Sequence, residues 1–211
     1  MKRILIIQTA FLGDVILATP VVSELNRLFP DASIDFLVKK GNESLLANNS
    51  KLNAVHVFDK SNGKWKSLFG LIKQFRKTQY DLVINLHRFG SSGLIAGLSK
   101  AKKRYGFKKN PFSFLYSKSF QHEIGNGTHE VERNLSVIKE FGAVSKLRPE
   151  LFPSQEDQNS ITEYIQGTYY CIAPASVWFT KQLPLNKWTE LIQTLPINEK
   201  IYLLGGKDDL E

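Results

Sequence analysis

The sequence is poor in sulfur: of its 211 residues, one is cysteine and one is methionine. A single Cys171 excludes an internal disulfide and a cysteine-built zinc site. Set in the apolar run YYCIAP, it is expected to be an inert core residue. Long hydrophobic runs are also missing. No stretch reaches the roughly 18–20 apolar residues that cross a bilayer as a helix. The N-terminal MKRILII is too short for a secretory leader and is broken by Gln8, so a cytoplasmic protein is expected. The G-x-G-x-x-G and Walker glycine patterns are absent. His129 has no companion ligands at metal spacing, so no metal site is expected.

What is present suits a globular chain: 42% hydrophobic and 23% charged residues. The net charge of +8 is unevenly spread. Residues 1–149 carry 24 Lys/Arg against 11 Asp/Glu, and residues 150–211 carry 4 against 9. Such a break suggests two bodies with different partners, the first facing an anionic ligand.

Hydrophobic periodicity alternates between strand and helix. Ile4–Ile7, Ser33–Val38, Ala54–Phe58, Tyr80–Leu86 and Lys103–Phe107 read as strands. A helix is expected to start near Asp14 and run through Leu17, Val21, Leu25 and Leu28. A short one, capped by Asn42, is expected over 42–48. Trp65, Leu68, Leu71, Ile72 and Phe75 recur at helical spacing, with Lys66, Lys73, Arg76 and Lys77 interleaved. Residues 108–127 look irregular, and Thr128 is the expected N-cap of a helix that ends near Gly142. This order predicts a parallel sheet with helices on both faces. The loops at the strands' C-terminal ends, among them Gln8–Asp14 and His87–Ser92, then share one edge. Residues 1–150 form the first domain on this reading, and 151–168 a connection. Residues 169–211 supply only two strands and a helix, so the expectation is that the chain stops inside a second domain.

Three loops carry candidate chemistry. In FLGD, Gly13 allows a tight or positive-φ turn, and Asp14 is either a helix cap or a carboxylate base. At the end of the fourth strand, His87 and Arg88 are candidates for binding an acceptor or its phosphate. After Tyr169–Pro174, Ser176, Thr180 and Lys181 offer hydroxyls and a charge to a phosphate, the alternative being a plain polar loop. The basic run 100–109, with Tyr105 and Phe107 interleaved, raises nucleic-acid binding as a rival. A non-catalytic α/β module for anionic glycan or lipid is a second rival.

Taken in order, the Phe-Leu-Gly-Asp of residues 11–14, Thr19-Pro20, HEVERN at 129–134, Lys181-x-x-Pro184 and Lys187-Trp188 resemble the bacterial ADP-heptose:lipopolysaccharide heptosyltransferases. The resemblance implies a GT-B-like, Rossmann-type α/β fold with an N-terminal acceptor domain and a C-terminal donor domain. It implies inverting, metal-independent transfer of a sugar from an ADP-heptose-like donor to an anionic glycolipid of the lipopolysaccharide core. The setting would be the cytoplasm, with peripheral membrane contact and no specific nucleic acid or cofactor. It assigns Asp14 as catalytic base. It assigns Ser176 and Lys181 to donor phosphate binding; on residue type and position alone, Thr180 joins them at the donor, and Gly13, His87 and Arg88 are expected at the acceptor. The family's second donor motif, Asp-Ser/Thr-Gly followed by His, lies beyond residue 211, so this chain alone is expected to transfer poorly.

Overall fold

Ile4–Ile7 is apolar without interruption, the pattern of a strand covered on both faces. A computed structural model describes residues 1–61, 63–142, 148–176, 178–196, 198–206 and 209. The chain forms two compact units, Met1–Pro153 and Ser154–Glu211.

The first unit is built on β1 (Arg3–Ile7), β2 (Ser33–Lys39), β3 (Ala54–Phe58), β4 (Leu82–Asn85), β5 (Lys103–Phe107) and β6 (Lys118–Phe120). They lie in the order β3-β2-β1-β4-β5-β6, and every pairing is parallel. The expected α/β sheet is therefore what forms. Alternate residues of one strand point to opposite faces. Ile4 and Ile6 join a core with Val21, Leu25, Leu135 and Ile138, while Leu5 and Ile7 join a second core with Leu68, Ile72, Phe75 and Ile95. Helices α2 (Thr19–Leu28) and α5 (Glu130–Ser136) cover the first face; α3 (Lys64–Thr78) and α4 (Gly90–Leu98) cover the second. Strand β6 falls in the stretch expected to be irregular. Its three residues pair with Tyr105–Phe107, and so short and polar a segment has no periodicity to read.

The helix expected from Asp14 to Leu28 is two helices, α1 (Leu12–Ile16) and α2. Pro20, in the first turn of α2, has no N–H to give the Ile16 carbonyl. The Thr19 hydroxyl donates to that carbonyl instead, at 2.8 Å. The Val21 N–H bonds Ala18, which leaves the Leu17 carbonyl to accept from Asn134 Nδ2 at 3.1 Å. Asn134 of HEVERN thus fastens α5 to the break that Thr19-Pro20 creates. Thr128 is not the cap of α5. His129 is, its Nδ1 accepting from the Val131 N–H at 3.2 Å. The stretch expected as a helix over 42–48 is a single 3-10 turn, Glu43–Leu46, and Asn42 makes no side-chain cap.

The second unit holds α6 (Gln155–Ile161), β7 (Tyr169–Ile172), α7 (Leu185–Gln193) and β8 (Lys200–Leu203). Ser154 and Asp157 cap α6 reciprocally: Ser154 Oγ accepts the Asp157 N–H at 3.0 Å, and the Asp157 carboxylate accepts the Ser154 N–H at 2.7 Å. β7 and β8 pair in parallel. Cys171 is exposed, contrary to the expected core position. Ile172 is buried, so Cys171 takes the opposite face of β7 by strand alternation, and that face is open among the described residues.

Candidate functional site

In an open parallel sheet, ligands bind beyond the strands' C-terminal ends where the strand order reverses. Here that point lies between β1 and β4, whose following loops begin at Gln8 and Leu86. Each loop is tied to its own strand's neighbours. The Gln8 N–H bonds the Leu37 carbonyl of β2 at 3.0 Å, and the Leu86 N–H bonds the Ile7 carbonyl of β1 at 3.0 Å. The loops then join each other: Thr9 Oγ1 and His87 Nδ1 are 2.8 Å apart and share a hydrogen bond.

The β1 loop is held from the β2 side as well. Asn42 Nδ2 donates to the Ala10 carbonyl at 3.1 Å, and Lys39 Nζ lies 4.6 Å from the Phe11 ring centroid. The chain then enters α1. Gly13 lies within α1 and is not at positive φ, so its expected use as a turn is overturned. A Cβ built there meets nothing within 4 Å, so what glycine provides is bare, open surface beside Asp14. Asp14 Oδ2 accepts the Phe11 N–H at 3.1 Å. Its other oxygen is unclaimed by any described residue, so the carboxylate caps the helix and keeps an acceptor free.

The β4 loop rests on a polar platform. Buried Asn85 gives Nδ2 to the Tyr116 hydroxyl at 2.7 Å, and its Oδ1 accepts the His87 N–H at 3.1 Å. Ser92 Oγ and Asn110 Nδ2 both donate to the His87 and Phe89 carbonyls, at 2.8–3.1 Å. Burial, followed by the positive charges of Lys60, Arg88 and Lys39, pulls His87 down to about 4. The imidazole is therefore neutral at pH 7, and its ring packs edge-on against Phe89. Arg88 is exposed. The edge thus presents a neutral ring held by Thr9 with three cations near it, and a carboxylate with a free oxygen.

In the second unit, Ser176 lies in the loop after β7, and Thr180 and Lys181 in a 3-10 turn, Phe179–Lys181. Ser176 Oγ accepts the Trp178 N–H at 3.2 Å, and Gln182 Nε2 donates to the Ser176 carbonyl at 2.7 Å. One short loop therefore brings the three expected donor residues together, with Thr180 and Lys181 exposed. Val177 of the same stretch lies outside the described residues.

Two features stand apart from these loops. A cavity of about 900 Å³ beside α5 is lined by His129, Glu132, Arg133, Lys139 and Arg148, none of them an expected site residue. Arg133 there is already committed to Glu130 at 2.7 Å and to the Thr128 carbonyl. The basic run 100–109 does not interleave free aromatics, because Tyr105 and Phe107 are 4% and 1% exposed in β5. They cannot stack on bases, which removes the observation behind the nucleic-acid rival. Among the described residues, no group of three or more His, Cys, Asp and Glu side chains could hold a metal ion. Among the described residues, no helix is long and apolar enough to cross a membrane.

The residues that sequence reasoning missed are Thr9, Asn42 and Asn110. Asn110 left a signal, an Asn before Pro111 just past a strand. Thr9 left none, since its role depends on a partner 78 residues away.

A Rossmann-type parallel sheet with a polar, cationic edge at its reversal point defines an α/β protein built to bind a ligand at that edge. The particular family follows from comparison with known proteins. The model of glycosyltransferase family 9 (heptosyltransferase) matches residues 68–211, more than half of the chain, and the chain belongs to that family. Lipopolysaccharide heptosyltransferase 3 of Escherichia coli K12 is 37% identical over 139 residues, 62% of this chain and 40% of that protein. The lipopolysaccharide core heptosyltransferase OpsX of Haemophilus influenzae is 31% identical over 107 residues, half of this chain and 30% of that protein. The chain thus matches less than half the length of these relatives. A family 9 glycosyltransferase structure from Veillonella parvula superposes with a TM-score of 0.82 at 22% identity, over 99% of this chain and 64% of that one. Escherichia coli heptosyltransferase WaaC with ADP superposes with a TM-score of 0.70 at 21% identity, over 97% and 67%. These two share the fold. The resemblance read from FLGD, HEVERN and the Lys181–Trp188 stretch holds at the level of the family.

Proposed function

We propose that these residues serve an inverting glycosyltransferase that moves heptose from ADP-heptose onto an anionic, lipid-linked glycan of the lipopolysaccharide core. The first unit is the acceptor side and the second unit serves the donor. The acceptor lies over the β1/β4 edge, where Lys39, Lys60 and Arg88 attract its phosphates and the neutral His87 ring hydrogen-bonds a sugar hydroxyl. The free oxygen of Asp14 takes the proton of the attacking hydroxyl as the new C–O bond forms at the anomeric carbon. The bond from that carbon to the diphosphate breaks on the opposite side, and ADP leaves with the electron pair. Ser176, Thr180 and Lys181 bind the diphosphate, and Lys181 offsets the charge that grows on it. The reaction takes place in the cytoplasm, at the inner face of the membrane.

The observation that carries this reading is the half-used carboxylate of Asp14 beside bare Gly13, at the edge where two strand loops meet among cations. Membership of glycosyltransferase family 9 supports the donor chemistry, as does the name of the relative from Escherichia coli K12. Titration with ADP and ADP-heptose tests the reading. Binding that weakens at least about tenfold in Lys181→Ala supports it, as expected for loss of a charge-assisted phosphate contact. A protein that ignores both ligands is a glycan-binding module instead.

A further inference from the structure

Helix α3 is longer and more basic than its packing needs. Leu68, Leu71, Ile72 and Phe75 bury one stripe against the sheet. The remaining surface carries Lys64, Lys66, Lys73, Arg76 and Lys77, all exposed, and no acidic residue. None of Lys64, Lys66, Lys73 and Lys77 forms an ion pair among the described residues. On the same surface Trp65 and Phe69, one turn apart, are each 59% exposed. Their rings stack at 6.2 Å, and Lys64 Nζ sits 5.4 Å from the Trp65 ring. Next to Phe69, Gly70 leaves the surface flat, since a Cβ there meets nothing within 4 Å.

A solvated helix gains nothing by placing two large rings side by side in water. A bilayer surface suits this arrangement. Trp and Phe enter the headgroup boundary, and lysines around them meet anionic lipid. Position adds to the chemistry. Phe58 ends β3 at the same sheet edge as the Thr9–His87 bond, and α3 begins at Lys64. At 1.5 Å per residue, Trp65 and Phe69 lie within about 8 Å of the helix start, at the end nearest that edge. Phe11, Leu12 and Phe89 are exposed on the edge itself.

We propose that α3 docks the protein on an anionic phospholipid bilayer, with Trp65 and Phe69 inserted and Lys66, Lys73 and Lys77 against the headgroups. This rests on the reading that the acceptor is lipid-linked. It sets the acceptor crevice at the membrane plane, so that a lipid-borne glycan reaches Asp14 without leaving the bilayer.

Sedimentation of the 211-residue chain with vesicles of phosphatidylethanolamine and phosphatidylglycerol, against phosphatidylcholine alone, tests it. Binding is expected only to the anionic vesicles. Each basic residue at such a surface contributes about fivefold, so Lys66→Glu/Lys73→Glu/Lys77→Glu should weaken binding by at least about 100-fold. Trp65→Ser/Phe69→Ser, which leaves every charge in place, should weaken it about tenfold. An aromatic variant that binds like its parent would mark simple polycation adsorption and overturn the proposal. A second measurement leaves α3 unaltered. With Trp178→Phe and Trp188→Phe in place, Trp65 emission should shift to the blue and be quenched by brominated lipid. An unquenched Trp65 on bound protein overturns the insertion. The vesicles carry no glycan, so failure here leaves the acceptor chemistry standing, and failure of the Asp14 test leaves membrane docking standing.

Discussion

Thr9 and His87, 78 residues apart in sequence, meet through a 2.8 Å hydrogen bond where the strand order of the sheet reverses. The bond fixes the imidazole's orientation from the β1 side, while Asn85, Ser92 and Asn110 hold its backbone from the β4 side. Thr9→Val keeps the shape and removes the hydroxyl. A half-buried ring nitrogen left without its partner costs about 1 kcal/mol. Urea unfolding should show that loss, and Thr9→Ser should restore stability. An acceptor KM that rises in the Val variant alone would tie the ring's orientation to binding.

His87 also sets a pH dependence. Its ordinary value of 6.5 is lowered to about 4 in the folded chain. Between these values the unfolded chain binds a proton that the folded chain refuses. Stability from this group is therefore complete above about pH 6.5 and is lost as pH falls toward 4. The loss by pH 5 is about 2 kcal/mol relative to pH 7. Denaturant midpoints at the two pH values should differ more for the parent than for His87→Gln, and equal differences would contradict the assignment.

Two glycines on the same edge should respond oppositely to alanine. At Gly13 the space is open and the backbone helical, so Gly13→Ala should leave stability unchanged or raise it by up to about 1 kcal/mol. It nonetheless puts a methyl group beside Asp14, so acceptor affinity should fall. At Gly93 a Cβ would lie 1.9 Å from Asn110 Oδ1. Gly93→Ala must displace the side chain that holds the His87 and Phe89 carbonyls, at a cost of about 1–3 kcal/mol. Thermal melts of the two variants compare them directly.

Asn134 gives HEVERN a structural meaning. Its amide satisfies the Leu17 carbonyl that the α1–α2 break leaves free. Asn134→Ala should cost about 1–3 kcal/mol and loosen the FLGD helix, while Glu132→Ala, on the exposed side of α5, should cost much less. Hydrogen exchange at Leu12–Ile16 reports the loosening; unchanged protection there would show that the bond does not couple the two motifs.

The sheet was legible because its strands are local. Ile4–Ile7 and Ala54–Phe58 carry their own pattern, and the run around Leu82–Asn85 is apolar enough to need no partner to identify it. β6 was not, since Lys118–Phe120 becomes a strand only by pairing with β5. The break at Thr19-Pro20 was written in the sequence, yet the continuous apolar spacing from Leu17 to Leu28 masked it. Of the site, FLGD and His87-Arg88 stood out by residue type. The parts that position them did not, because Thr9, Asn42 and Asn110 act on residues 20 to 80 positions away, roughly the length of one or two βα crossovers. The exposure of Cys171 was misjudged for the same kind of reason: composition shows that a strand is apolar and not which of its faces is covered.

The central claim is that Asp14 accepts the proton of the acceptor hydroxyl. The direct test is heptose transfer from ADP-heptose to a lipopolysaccharide core acceptor. Asp14→Asn keeps the side chain's shape and its cap on Phe11 while removing the base. The account predicts that kcat falls by at least about 100-fold with ADP affinity unchanged. Transfer by Asp14→Asn at the parent rate would contradict it and return Asp14 to the role of a helix cap.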